Sequence, residues 1–315
     1  MSKKINTKTL SIAVVILLTI VLLTQLMDGN KNQRTFKDKL FDVDTSQITS
    51  LLIYPKQSAF EEIKFLRSGN VWNIVKDGKN FPVGALEIQN LLRQIDNLEV
   101  KRLAGRNSDN LEKFELSDSL ATRVVIIAGK KTIGVLHVGK FGYNYETQDS
   151  FSYARVDDEE EIWAVNGFLQ SIFDQQMNVF RYKAMINTIK SDWNKLQFSY
   201  PADSSFTLTR SDFGWLVDGE PVDSVSTDDY LNTLVNLSSR GFVDDDNIVV
   251  APNPIFVLKI EGNNFSPIVI DAFEAGDEYS FLVTSSINPT ARFSGIKDDL
   301  GKKVFKGKSL FKIKE

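Results

Sequence analysis

The sequence predicts an α+β protein: an N-terminal transmembrane helix followed by an ectodomain of two similar strand-rich α+β repeats joined by a helix. Three observations carry this expectation. Residues 10–27 form an uncharged apolar run, a set of turn, tryptophan and strand signals recurs in the same order in both halves of the chain, and an amphipathic stretch separates the halves. The expected division is a cytoplasmic N-terminus at 1–9, a transmembrane helix at 10–27, a linker at 28–40, a first repeat at 41–164, a connecting helix at 165–190 and a second repeat at 191–315.

The apolar run reads LSIAVVILLTIVLLTQLM, with Ser11, Thr19, Thr24 and Gln25 as its only polar interruptions. As a helix it would extend ~27 Å at ~1.5 Å per residue, close to the ~30 Å of a hydrocarbon core. Lys3, Lys4 and Lys8 precede it without an acid, which keeps the N-terminus cytoplasmic and sends the rest of the chain outside. A cleaved signal peptide is the competing reading. It fits less well, because the stretch is long and TQLMDGN offers no small-x-small cleavage site.

The first copy opens with ITSLLIYP (48–55), continues through EIKFLRS and Gly69 to VWNIV, then turns at Asp77-Gly78 and reaches Pro82-Val83. A helix follows over about 85–98, with Ile88, Leu91, Leu92, Ile95 and Leu98 along one side. The second copy opens with WNKLQFSYP (193–201), then FTLTRS, Gly214-Trp215, Asp218-Gly219 and Pro221-Val222. Its helix is expected to start from Ser226 or Thr227 as N-cap and to bury Tyr230, Leu231, Leu234 and Leu237. Arg123–Gly129 then matches Phe256–Gly262, and Phe151–Val156 matches Tyr279–Ser285. Between the copies, Val165–Lys183 carries Phe168, Leu169, Ile172, Phe173 and Met177 at helical spacing, which predicts one amphipathic helix acting as a strut.

Composition narrows the function classes. Beyond residue 27 the chain holds 34 basic against 41 acidic residues, a net −7, which argues against nucleic acid as a partner. With no cysteine, disulfides, thiolate metal sites, cysteine nucleophiles and a lipoprotein anchor are excluded. His137 is the only histidine and reads as a strand residue at a sheet edge, since no second ligand or triad partner accompanies it. Asp157–Glu161 and Asp244–Asn247 lack the alternate oxygen spacing of a calcium loop and read as solvated turns. Phosphate-binding, nucleophile-elbow and zinc-protease motifs do not occur. No catalytic residue, cofactor or metal is therefore expected. The lysines of Gly295–Glu315 fit a final edge strand, SLFKIKE, or else contact with anionic headgroups.

The segment Asp44–Ile53, the pair Phe65…Gly69…Trp72, Pro82-Val83 and Phe180-Arg181-Tyr182-Lys183 together resemble the DUF4340 proteins, a family of unassigned function. The likeness covers about residues 10–200. Tyr182 stands where that family often has Asp, and Phe114-Glu115-Leu116 where it usually has Gly-Leu. The resemblance implies an accessory or scaffold subunit of an ABC-transporter-like envelope complex of the gliding-motility type. Its partners would be the membrane, through 10–27, a permease, and an extracytoplasmic transporter-associated protein. The alternative expectation is an extracytoplasmic binding module for a glycan, peptide or lipid, with Tyr143, Tyr145, Phe151 and Tyr153 as candidate contacts.

Overall fold

A computed structural model describes residues 37–106, 111–157 and 159–313. The expected cytoplasmic N-terminus, the transmembrane helix at 10–27 and most of the linker lie outside these residues. Among the described residues no helix is long and apolar enough to cross a membrane. The described chain is strand-rich, with two sheets and few helices. It divides into two compact units, one built from residues 37–48 and 92–174, the other from 49–91 and 175–313.

In chain order, β1 (Ser50–Tyr54), β2 (Ile63–Ser68), β3 (Val71–Lys76) and β4 (Lys79–Pro82) lead into α1 (Ala85–Asp96). There follow β5 (Val100–Arg106), β6 (Thr122–Ala128), β7 (Lys131–Asn144), β8 (Asp149–Val156) and β9 (Glu161–Asn166), then α2 (Leu169–Phe173) and α3 (Met177–Phe180). Next come β10 (Trp193–Ser199), β11 (Phe206–Ser211), β12 (Gly214–Val217), β13 (Glu220–Pro221) and α4 (Ser224–Val235). The chain ends with β14 (Phe256–Gly262), β15 (Ile268–Glu274), α5 (Gly276–Tyr279), β16 (Phe281–Ser285), β17 (Phe293–Ser294) and α6 (Leu300–Val304).

Strands β1–β4 form a meander in the order β4-β3-β2-β1, and β10–β13 form another in the order β13-β12-β11-β10. Two-residue hairpins set the register of both. Asp77-Gly78 and Asp218-Gly219 each hold two positive φ angles, the geometry that matches strand twist and that Asp-Gly adopts readily. One buried row then crosses each meander: Leu51, Phe65, Ile74 and Phe81 in the first, Leu196, Leu208 and Val217 in the second. Each fully buried side chain of this size contributes ~1.5–3 kcal/mol. The second meander continues through β14-β15-β16-β17, and its core gathers Trp193, Phe198, Tyr230, Phe293 and Phe311. In the other unit the strands run β6-β7-β8-β9-β5, with a satellite core of Phe114, Leu116 and Ile162.

A backbone strap, residues 180–186, holds its unit together. On one side Tyr182 N–H donates to Pro82 C=O (2.7 Å), and Gly84 N–H donates to Phe180 C=O (2.9 Å). On the other side Met185 N–H donates to Leu237 C=O (2.9 Å), and the Ser285 hydroxyl and Asn288 amide donate to Met185 and Tyr182 carbonyls, each at 2.7 Å. Arg181, 3% exposed, lies between the Phe81 and Phe242 rings, with its guanidinium carbon 4.4 and 3.8 Å from their centroids. It donates to Asp244 at 2.7 Å and to Asn178 at 3.1 Å. Lys183 pairs with Glu87 in the first turn of α1 at 2.6 Å, a position that also favours an acid.

Four sequence expectations need correction. The single helix over 165–183 is two short helices, α2 and α3: β9 runs to Asn166 and Gly167 turns at φ +97°, which delays the start, and the chain leaves the helical region at Asp174 and Gln176. The helix cannot continue past Phe180, since Arg181 and Tyr182 are extended and pair with 82–84. The cap of α4 is Asp223, whose carboxylate accepts Ser226 N–H at 2.7 Å; pairing of Val222 with Lys312 keeps the chain extended up to that point. The final strand is absent among the described residues. Lys308–Leu310 winds into a 3₁₀ turn so that Phe311 can reach the core. The linker ends earlier than residue 40, for Leu40 is buried and hydrogen-bonds to Leu98.

Replacing Asp223 by Ala should cost about 1 kcal/mol in urea denaturation of the 37–315 fragment, the usual value of a helix cap. Arg181→Ala should cost about 2–4 kcal/mol, and Arg181→Lys should recover little of it, because an ammonium cannot stack on both rings. A lysine variant as stable as the parent would mean that the charge alone matters.

Candidate functional site

The exposed face of the β7–β8 hairpin is the most distinctive surface among the described residues. Its origin is local. A bulge at Gly139-Lys140 shifts the β7–β8 register between Val138 and Phe141, so that side-chain alternation restarts. Beyond it Gly142 pairs with Phe151, and a Cβ at Gly142 would stand 2.4 Å from the Phe151 ring. Glycine there lets Phe151 fold across the strand. Phe151 is buried, and Tyr153 packs on Phe114 at 4.5 Å between centroids. The Arg102 guanidinium caps Phe151 at 5.1 Å.

The opposite face carries Phe141 and Tyr143, two residues apart and so on the same side of the strand. Phe168 stacks on Phe141 with centroids 4.7 Å apart and planes 11° from parallel. Ser152 places it there: its hydroxyl donates to Gly167 C=O (2.8 Å) and accepts from Leu169 N–H (2.9 Å). Tyr145 stands edge-on to Tyr143 at 5.0 Å. Phe168, Phe141, Tyr143 and Tyr145 remain 53%, 39%, 43% and 86% exposed. The turn beyond contributes Glu146 and Asp149, the latter paired with Lys101 at 3.1 Å.

Of the four residues singled out in the sequence, Tyr143 and Tyr145 are therefore at the surface, while Phe151 and Tyr153 belong to the interior side. Phe141 and Phe168 complete the face and were not anticipated. Phe141 was legible as the alternate neighbour of Tyr143, but Phe168 reads from sequence as part of a buried helical stripe. Leu169 and Phe173 of that stripe are buried.

His137 sits in β7 between β6 and β8, in the interior of the sheet rather than at its edge. Its buried ring meets Asp157 through Nε2 at 2.8 Å, while Nδ1 finds no protein partner. Burial lowers its pKa below 6.5; the Asp157 hydrogen bond opposes this, Arg155 adds to it, and the charges of Asp157 and Asp118 oppose it. The Asp244–Asn247 run serves ion pairs: Asp244 meets Arg181, and Asp246 meets Lys79 and Arg292. Near Arg181 a cleft of about 440 Å³ is lined by Glu61, Glu62, Lys76, Asp77 and Asn178, among others. Glu61 pairs with Lys76 there, and Glu62 accepts from Tyr54. Among the described residues no group of three or more metal-ligating side chains comes together.

The unit that carries this face is strand-rich, and the face is exposed and aromatic. The chain belongs to the family described as "Domain of unknown function (DUF4340)", whose model matches residues 72–252, more than half of the sequence. That span takes in the strap and the aromatic face. No curated protein matches the chain, and no solved structure does.

The lone histidine allows a clean titration. Its folded pKa lies below the unfolded value, so the unfolded chain binds the extra proton first as pH falls. Stability conferred by His137 should be complete above about 6.5 and lost as pH drops through the folded pKa. NMR should find the ring titrating below 6.5, and Asp157→Asn should move it lower still. An upward move would contradict the burial argument.

Proposed function

We propose that this chain is a membrane-anchored, extracytoplasmic accessory subunit that holds a partner protein on the aromatic face of Phe141, Tyr143, Tyr145 and Phe168. The exposure of these four rings together carries the proposal. Aromatic side chains lose little conformational entropy on binding and are enriched at the energetic centres of interfaces. In this reading residues 10–27 anchor the chain with its N-terminus in the cytoplasm. The like-ordered antiparallel meanders β1–β4 and β10–β13 support an ectodomain of two repeats. The DUF4340 resemblance points to an ABC-transporter-like envelope complex of the gliding-motility type, with a permease and an extracytoplasmic component as partners.

A binding module for a small glycan is the second reading, since the same rings could stack on sugars. Affinity purification of the tagged full-length chain from membranes separates the two. An ATPase and a permease should co-purify, and Tyr145→Ser with Phe168→Ser should release the extracytoplasmic partner, at ~2 kcal/mol or more per central ring. Because both rings are at the surface, thermal unfolding should hardly change. Recovery of neither protein, or retention of every partner by the double variant, would overturn the proposal.

A further inference from the structure

A second surface, in the unit of residues 49–91 and 175–313, has a different chemistry. A groove of about 480 Å³ opens between the start of β14, the start of β16 and α6. Its floor is aromatic. Phe256 and Phe305 stack with centroids 5.5 Å apart and planes 30° from parallel, and Phe281 stands edge-on to Phe256 at 5.4 Å. All three are only partly buried although they pack on the core. The wall is bare backbone: Gly301 N–H donates to Gly295 C=O, and Gly295 N–H donates to Phe281 C=O, both at 2.8 Å. Neither glycine puts a side chain into the space, and Ile296 stands exposed at the edge. Ser280, Asp299 and Lys302 are its only polar lining side chains.

The charge beside this groove is positive. Lys302 lines it, and Lys303 and Lys306 flank the last lining residue, Phe305. Asp299 reaches only Lys302, at 3.7 Å. Asp298 is turned to Ser239 and to the Arg240 N–H. Among the described residues Lys303 and Lys306 pair with no carboxylate. A sugar would need more donors and acceptors than this lining offers, and a metal ion more than one carboxylate. A flexible apolar chain needs neither. Its volume suits a single small ligand.

We propose that this groove holds the acyl chain of a single anionic amphiphile, with the apolar tail along Phe256, Phe281 and Phe305 and the head at Lys302. The aromatic floor is then covered by the tail, and the lysine surplus is neutralised by the head. The groove lies beyond the 72–252 span of the family match, so this chain can carry it independently of the partner-binding face.

The test uses the full-length chain in phosphatidylcholine nanodiscs with a photoactivatable palmitate, and maps labelled peptides by mass spectrometry. Label should fall on the peptides holding Phe281, Ile296 and Phe305. Unlabelled palmitate should compete, and hexadecanol should compete about tenfold less well. Competition by shorter fatty acids should weaken about fourfold for each methylene removed. Lys302→Glu, at a highly exposed position, should preserve the fold and cut groove labelling about tenfold. Gly301→Leu, which fills the groove, should abolish it. Label confined to residues 10–27, equal competition by hexadecanol, or labelling unchanged in both variants would overturn the proposal. Association with anionic vesicles that survives Gly301→Leu, with no groove label, would assign the lysines to a membrane surface instead.

Discussion

One buried cation organises the larger unit. Arg181 comes from a segment with no regular structure of its own, yet its guanidinium is clamped between two phenylalanines that lie far apart in the chain, Phe81 and Phe242. Planarity is what permits this: a guanidinium can stack on both faces while its edge still donates to Asp244 and Asn178. The strap's backbone is satisfied on both sides, by 82–84 and by 237–239, as buried peptide groups require. The meander β1–β4 is thereby tied to a core that begins more than a hundred residues later. Phe65 set edge-on to Phe180 at 5.2 Å extends the same junction into the first buried row.

The aromatic face follows from a smaller constraint. A strand normally sends alternate side chains to opposite sides, and β7 pairs regularly with β6 from Gly134 to Val138. The bulge and Gly142 then let Phe151 occupy the inner side, which leaves Phe141 and Tyr143 outside. Ser152 recruits Phe168 to them with two hydrogen bonds. A contiguous apolar patch on a domain surface is costly in water and commonly marks contact with something else. In the 440 Å³ cleft, by contrast, Glu61, Glu62 and Asp244 are met by lysine, tyrosine and arginine.

Glu115 illustrates how a local departure can be read. It adopts φ +57°, a left-handed conformation that glycine enters freely and a residue with a Cβ does not. Its neighbours Phe114 and Leu116 are buried, and Phe114 C=O accepts from Lys140 N–H at the bulge. The turn is thus held by its flanks, which lets the glutamate persist. A second case is the α4 cap. Asp, Ser and Thr all suit an N-cap, so pattern alone places it at Ser226 or Thr227, three or four residues late; the pairing of Val222 with Lys312 chose Asp223.

Period-two alternation, Asp-Gly turns and a 3.6-residue stripe are local properties, and they specified β1–β3, α1, β10–β12 and α4 from the sequence alone, close to their observed limits. The break between α2 and α3, the buried Phe311 and the role of Arg181 were not legible, because each depends on a partner far along the chain. The same holds for the site. Tyr143 and Tyr145 stood out as residues, but which aromatic rings face water was decided by a bulge, a close glycine and one serine, and sequence spacing alone does not encode the three-dimensional meeting of those parts.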